Sequence, residues 1–147
     1  MKEKSTAITY NDFLKGIELK DIYISNLMAS REKEFGTPAN IRIESSKDFE
    51  KLEKGDVRMQ VEYTLTAIKK GKKKPGFKIS VVYTLLFQSK IEITEAYFKK
   101  FSHSLDIETW PYFRNLVNEL TMRMGLPPLV LRVLKVMPKA KKANAKD

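Results

Sequence analysis

The groups able to do acid–base or metal chemistry are few. His103 is the only histidine in 147 residues and there is no cysteine, so a His-rich or thiolate metal site, a histidine pair for proton transfer and a disulfide framework are all excluded. Asp106 and Glu108 follow His103 closely, and carboxylates beside an imidazole could move a proton. Just ahead of Trp110 and Pro111 they read better as acids that favour the first turn of a helix. The run Lys69 to Lys74 is KKGKKK, followed by Pro75-Gly76. It has neither the Walker spacing nor the Lys-Ser/Thr pair that would cradle a phosphate. No catalytic residue, metal or cofactor is therefore expected, and the chain is not read as an enzyme.

What the chain has in quantity is positive charge: 28 Lys plus Arg against 18 Asp plus Glu, a formal net charge of +10. Such a field attracts polyanions, acidic membrane surfaces or acidic proteins. The excess is local, in Lys69 to Lys74 and in the tail from Lys139, KAKKANAKD. A basic nucleic-acid-binding module is one reading. Base stacking needs exposed aromatics, however, and Tyr63, Phe77, Tyr83 and Phe87 share the alternating phase of the core aliphatics. Nucleic acid is accordingly expected to bind only non-specifically.

The elements that position side chains follow from periodicity. In Trp110 to Leu131, WPYFRNLVNELTMRMGLPPLVL, the residues Phe113, Leu116, Val117, Leu120 and Met124 recur at spacings of three and four and share one helix face. Thr109 is the expected N-cap and Pro111 suits the first turn. Gly125 suits the C′ position, and Pro127-Pro128 forbids continuation. Thr94 to Ser104, with Tyr97, Phe98 and Phe101, reads as a separate short helix or turn. The residues Val57, Met59, Val61, Tyr63, Leu65 and Ala67 alternate with polar ones, and Phe77, Ile79, Val81, Tyr83, Leu85 and Phe87 repeat the pattern beyond the basic loop. These runs predict an antiparallel hairpin.

Ile17 to Ser30 is strand-like, with Leu19 on one phase and Ile22 and Ile24 on the other, which predicts a bulge near Lys20-Asp21. Gly36 and Pro38 mark a turn, and Ile41-Arg42-Ile43 resumes alternation. Ser45 to Asp56 is polar except for Phe49 and Leu52. Leu129 to Val136 is β-prone and could return as an edge strand. Met1 to Tyr10 is expected to fray, and residues 139–147 to form a disordered basic tail after a single domain, 1–138. No apolar run could cross a membrane and no secretory h-region opens the chain, so the expected compartment is the cytoplasm.

These words in this order resemble the SecB family of export chaperones. The aromatic-Pro-Tyr-x-Arg opening is Trp110, Pro111, Tyr112 and Arg114, followed by Gly125 and then Pro127, Leu129 and Leu131. Upstream, Ile41 to Ile68 resembles the family's acidic-polar crossover and its long second strand. The resemblance spans roughly Ile17 to Leu131. It implies an α+β fold, a twisted antiparallel sheet of about four strands with one main helix packed on it, assembled through sheets and helices into dimers and then a tetramer.

It also implies a holdase that binds extended apolar segments of non-native polypeptides without ATP. Carried over residue by residue, the client groove is expected at Phe35, Ile41, Ile43, Phe49 and Leu52; where the family continues into a second amphipathic helix this sequence reads RVLKVMPKAKK, so either the groove is more open or Leu131, Leu134 and Met137 replace that helix's wall as extended chain. The helix residues Phe113, Leu116, Val117, Leu120 and Met124 are expected in the core or the oligomer. Independently, burying five helix side chains contributes roughly 7–15 kcal/mol but leaves much of a long sheet bare, which also points to a homo-oligomer. SecB chaperones are acidic and meet the export motor ATPase through acidic surface. The basic charge here departs from that pattern and favours a dedicated client, such as the antitoxin of a toxin–antitoxin system, beside secretory precursors.

Overall fold

The computed structural model describes residues 7–35 and 39–132. The chain runs α1 (Tyr10–Gly16), β1 (Ile17–Arg31), β2 (Ala39–Lys51), a single 3-10 turn (Glu53–Gly55), β3 (Asp56–Lys69), β4 (Phe77–Ser89) and α2 (Glu95–Arg123). The strands form one antiparallel sheet in the order β1-β4-β3-β2, with β1 and β2 at its edges. One main helix packs on this sheet, so the architecture is the α+β arrangement expected.

The two alternating runs make the centre. Val57 pairs with Phe87, Val61 with Tyr83 and Leu65 with Ile79. The odd-numbered side chains from Val57 to Ala67 and from Phe77 to Phe87 are all buried against α2, as a period of two requires. On β1 the pairing slips between Leu19 and Asp21 and again between Ile24 and Asn26. The first slip is the expected bulge, and it returns Ile22 and Ile24 to the helix side, opposite Leu85 and Tyr83.

Three sequence readings are corrected. The helix does not start at Thr109: α2 begins after the N-cap Thr94, whose side chain accepts from the Tyr97 amide, and runs unbroken through Pro111. Pro111 removes the donor for the carbonyl of Ile107. Both residues are solvent-exposed, so water can satisfy that carbonyl and the helix survives. Asp106 and Glu108 are consequently mid-helix. Thr109 is fully buried instead, as the centre of the stripe Phe98, Phe101, Leu105, Thr109, Phe113, Val117 and Thr121.

Second, Ser45 to Lys51 is not crossover but the far half of β2, paired with β3 residue by residue from Ala39↔Lys69 to Lys51↔Val57. An edge strand only partly covered by a helix needs few apolar residues, so its polar wording imitates a loop. The true crossover falls between the end of β1 at Arg31 and the start of β2 at Ala39, which lie at opposite edges of the sheet.

Third, Leu129 to Arg132 forms no strand. It folds back along α2, where Arg114 donates to the carbonyl of Leu131 and Trp110 to that of Arg132. The predicted turn at Gly36–Pro38, the groove residues Leu134 and Met137, and the basic tail lie outside the described residues.

Candidate functional site

α2 stops as its sequence dictates. Gly125 takes φ 74°, the amide of Leu126 donates to the carbonyl of Thr121 and the amide of Gly125 to that of Met122, the paired bonds of a Schellman cap. Pro127-Pro128 then turns the chain, and the Leu129 amide donates to the buried Thr121 hydroxyl. This anchors an apolar segment alongside the crossover. Between them opens a groove of about 130 Å³. Phe35, Ile41, Ala67 and Phe77 line it from the sheet side, and Thr121, Leu126 and Leu129 from the helix side. Phe35 lies stacked on Phe77 at a centroid distance of 6.5 Å, and it covers Gly76 so closely that any side chain there would collide with its ring.

One residue ties the walls together, and the sequence did not single it out. At the end of β1 the guanidinium of Arg31 donates to four backbone carbonyls: Nε to Glu32, Nη2 to Lys33 and Phe35, and Nη1 to Met124. It shapes the crossover and simultaneously neutralises the negative end of α2. A planar fork with five donors can serve so many acceptors at once.

The other expected groove residues are dispersed. Ile43 is half-buried on the same face of β2 as Ile41, next to Leu65 of β3. Phe49 packs against Phe98 of α2, the ring centroids 4.5 Å apart and the planes tilted by 34°. Leu52 lies in a separate hollow beside Gly55, Val57 and Ile93. Leu131 is buried under α2 near Pro111 and Asn118. Of the expected set, Phe35 and Ile41 are brought together in the groove at the crossover.

The helix residues also divide. Phe113 and Val117 are fully buried against the sheet, whereas Leu116, Leu120 and Met124 are half-buried. Leu116 faces a second, wider cleft of about 360 Å³ between α2 and the edge strand β1, bounded by Ile22, Ile24, Tyr112 and Glu119. Ile24 and Tyr112 are substantially exposed in it, and Leu27 is exposed farther along the same face of β1. Tyr83 forms part of this cleft, and its buried hydroxyl has no partner among the described residues. Burial pushes its pKa up to about 12.

A third polar feature fastens edge strand β2 to α2. Lys47, pointing inward from β2, pairs with Asp106 at 2.9 Å. Asp106 also accepts from the Tyr63 hydroxyl at 3.0 Å, and that hydroxyl lies 2.8 Å from Thr109. Burial raises the Tyr63 pKa, and the neighbouring Asp106 charge raises it further. An inward charge on an edge strand discourages unwanted pairing, and here it is compensated. His103 is exposed on α2 and takes part in none of these bonds. Among the described residues no set of three or more His, Asp or Glu side chains is arranged to hold a metal, and no helix is long and apolar enough to cross a membrane.

One solved structure shares this architecture closely. The Mycobacterium tuberculosis SecB-like chaperone, solved in complex with a ChAD peptide from an antitoxin, superposes with a TM-score of 0.74 over 85% of this chain and 95% of that one, at 18% identity. The fold is SecB-like. A protein of unknown function from Streptococcus agalactiae overlaps more loosely, with a TM-score of 0.42 at 16% identity over 80% of this chain and 97% of that one. No protein-family model and no curated protein matches the sequence. The resemblance read from the residues around Trp110 to Leu131 therefore holds at the level of the fold.

Proposed function

We propose that this chain is a cytoplasmic, ATP-independent holdase that binds extended apolar segments of non-native polypeptides, and that it has no enzymatic activity. The observation that carries this reading is the groove at the crossover. Its floor and walls are apolar, it is open to solvent, and Ile41 is 44% exposed within it. A monomer gains nothing from leaving such a surface wet, and a bound apolar segment removes it from water. The SecB-like fold and a structural neighbour solved with an antitoxin peptide support a client of that kind. The basic surface favours a dedicated antitoxin-type client over docking to the acid-seeking export motor ATPase.

We further read the functional unit as a homo-oligomer, with a tetramer built as a dimer of dimers. Support comes from β1, whose outer edge has no partner strand among the described residues and which exposes Ile24 and Leu27 on one face and Met28 on the other. A second copy added there would cover apolar side chains and satisfy the strand edge. Phe35 and Ile41 are assigned to client binding, with Ile43 beside them on the same face of β2, whereas Phe49, Leu52 and Leu131 pack elsewhere. An aggregation assay tests the reading. Purified protein should suppress aggregation of a chemically denatured client with no dependence on ATP, and failure to do so at molar excess would overturn it.

A further inference from the structure

Resting on that holdase reading, we propose that the groove selects apolar segments flanked by acidic residues. The grounds are where the lysines lie. From Lys69 to Lys74 the chain carries five lysines and no acid, and this segment belongs to the hairpin tip that joins two groove-lining positions, Ala67 on β3 and Phe77 on β4. Lys69 is opposite Ala39, the next residue along the face that bears Ala67 and Ile41. At the other end of the loop, Gly76 donates to the carbonyl of Ala67, accepts from the amide of Glu32, and is covered by the ring of Phe35. The base of the loop is therefore fixed to the groove wall, and its lysines follow directly from that base.

These lysines take no part in an ion pair among the described residues. The nearest acids by topology, Glu32 and Glu34, are interrupted by Lys33 and leave a positive excess. Arg31 adds to the field, although its donors are committed to carbonyls. Charge within about 10 Å of a bound chain is only partly screened at moderate salt. A segment whose apolar core fills the groove would place its flanks in that field, where Asp and Glu are attracted and Lys and Arg repelled. The apolar floor supplies affinity and the collar supplies choice among clients.

The test uses three fluorescent peptides with one shared apolar core and flanks of Asp and Glu, of Ser, or of Lys and Arg. Binding to the full chain is followed by anisotropy at low and at raised salt. The acidic peptide should bind roughly tenfold more tightly than the serine peptide at low salt, the basic one more weakly, and the spread should contract as the Debye length shortens. The combined variant Lys72→Ser, Lys73→Ser, Lys74→Ser should bring the acidic peptide close to the serine one. If all three peptides bind alike, or the basic one binds best, the selectivity is refuted while the holdase stands. If none binds and no client is held, both fail. A single-stranded oligonucleotide is the remaining arm. Should the triple variant lose the oligonucleotide yet keep the acidic-peptide preference, the loop is a nucleic-acid contact and the proposal falls.

Discussion

Arg31 Nη1 lies 2.6 Å from the carbonyl oxygen of Met124, a bond across 93 positions of sequence that joins the end of the first strand to the end of the main helix. With its three further carbonyl partners it holds both walls of the groove. Replacing Arg31 by Ala should cost about 1.5–3 kcal/mol, the range for a hydrogen-bonded charge, and should weaken apolar peptide binding as the walls separate. Lys should recover little, since a point charge cannot satisfy four carbonyls. Urea unfolding and peptide titration measure the two effects, and a variant unchanged in both would show that the clamp is incidental.

Phe35 and Phe49 looked equivalent in sequence, and the structure separates them. Phe35 forms part of the groove, whereas Phe49 meets Phe98 of α2. Phe35→Ser should lose aggregation suppression with only a modest fall in melting temperature. Phe49→Ser should lose stability first, approaching the roughly 3–5 kcal/mol of a truncated core aromatic, while its remaining folded fraction still holds client. The opposite pairing of effects would move the binding surface to the Phe49 end of β2.

The legibility of these parts follows from which patterns were strong. β3 and β4 were plain because a two-sided sheet with one covered face imposes strict alternation over more than ten residues, and the bulge at Lys20 announced itself as a phase change. The helix start was missed because Pro111 sits where a first-turn proline would sit, and because the buried stripe passes through the polar Thr109 and Thr121, which hide it. Helix α1 was missed although Thr9 and Asp12 form a reciprocal capping box. That spacing, Thr-x-x-Asp ahead of the buried Phe13, is the one signal that could have found it. β2 was only half seen because its far half is nearly devoid of apolar residues. Arg31 had no local signal, since its partners are carbonyls brought together only by the fold.

Tyr83 offers a pH test. Its folded pKa, about 12, lies above the ordinary value of 10.0 because burial disfavours the phenolate. The stability this represents is fully present below pH 10, where both states keep the proton. It is lost between about pH 10 and 12, where only the unfolded chain gives its proton up. Stability should therefore fall over that window, with Tyr63 shifted in the same direction. Tyr83→Phe should make the fall shallower. At neutral pH it should be neutral or mildly stabilising, by about 1 kcal/mol, because it removes a buried hydroxyl that has no partner among the described residues. Urea midpoints at neutral and alkaline pH check both statements, and a marked loss at neutral pH would mean the hydroxyl has a partner in the assembled protein.

Leu116 and Phe113 are three positions apart on α2 and should answer different questions. Phe113 is completely buried and stacked on Tyr63 at 4.6 Å, so an aspartate there would place an unpaired charge in the core and unfold the chain. Leu116 is half-buried and turned to the cleft beside Ile22 and Ile24, where a charge can reach water within one subunit. If a second copy covers that cleft and the free edge of β1, Leu116→Asp becomes a buried charge only on assembly. The substitution should then leave helix and sheet content near wild type by circular dichroism. Light scattering should show the oligomer falling to a smaller species, while Phe113→Asp loses both signals. Leu116→Asp that remains folded and fully assembled would remove the α2–β1 cleft from the interface, leaving the proposed oligomer to be built on another face.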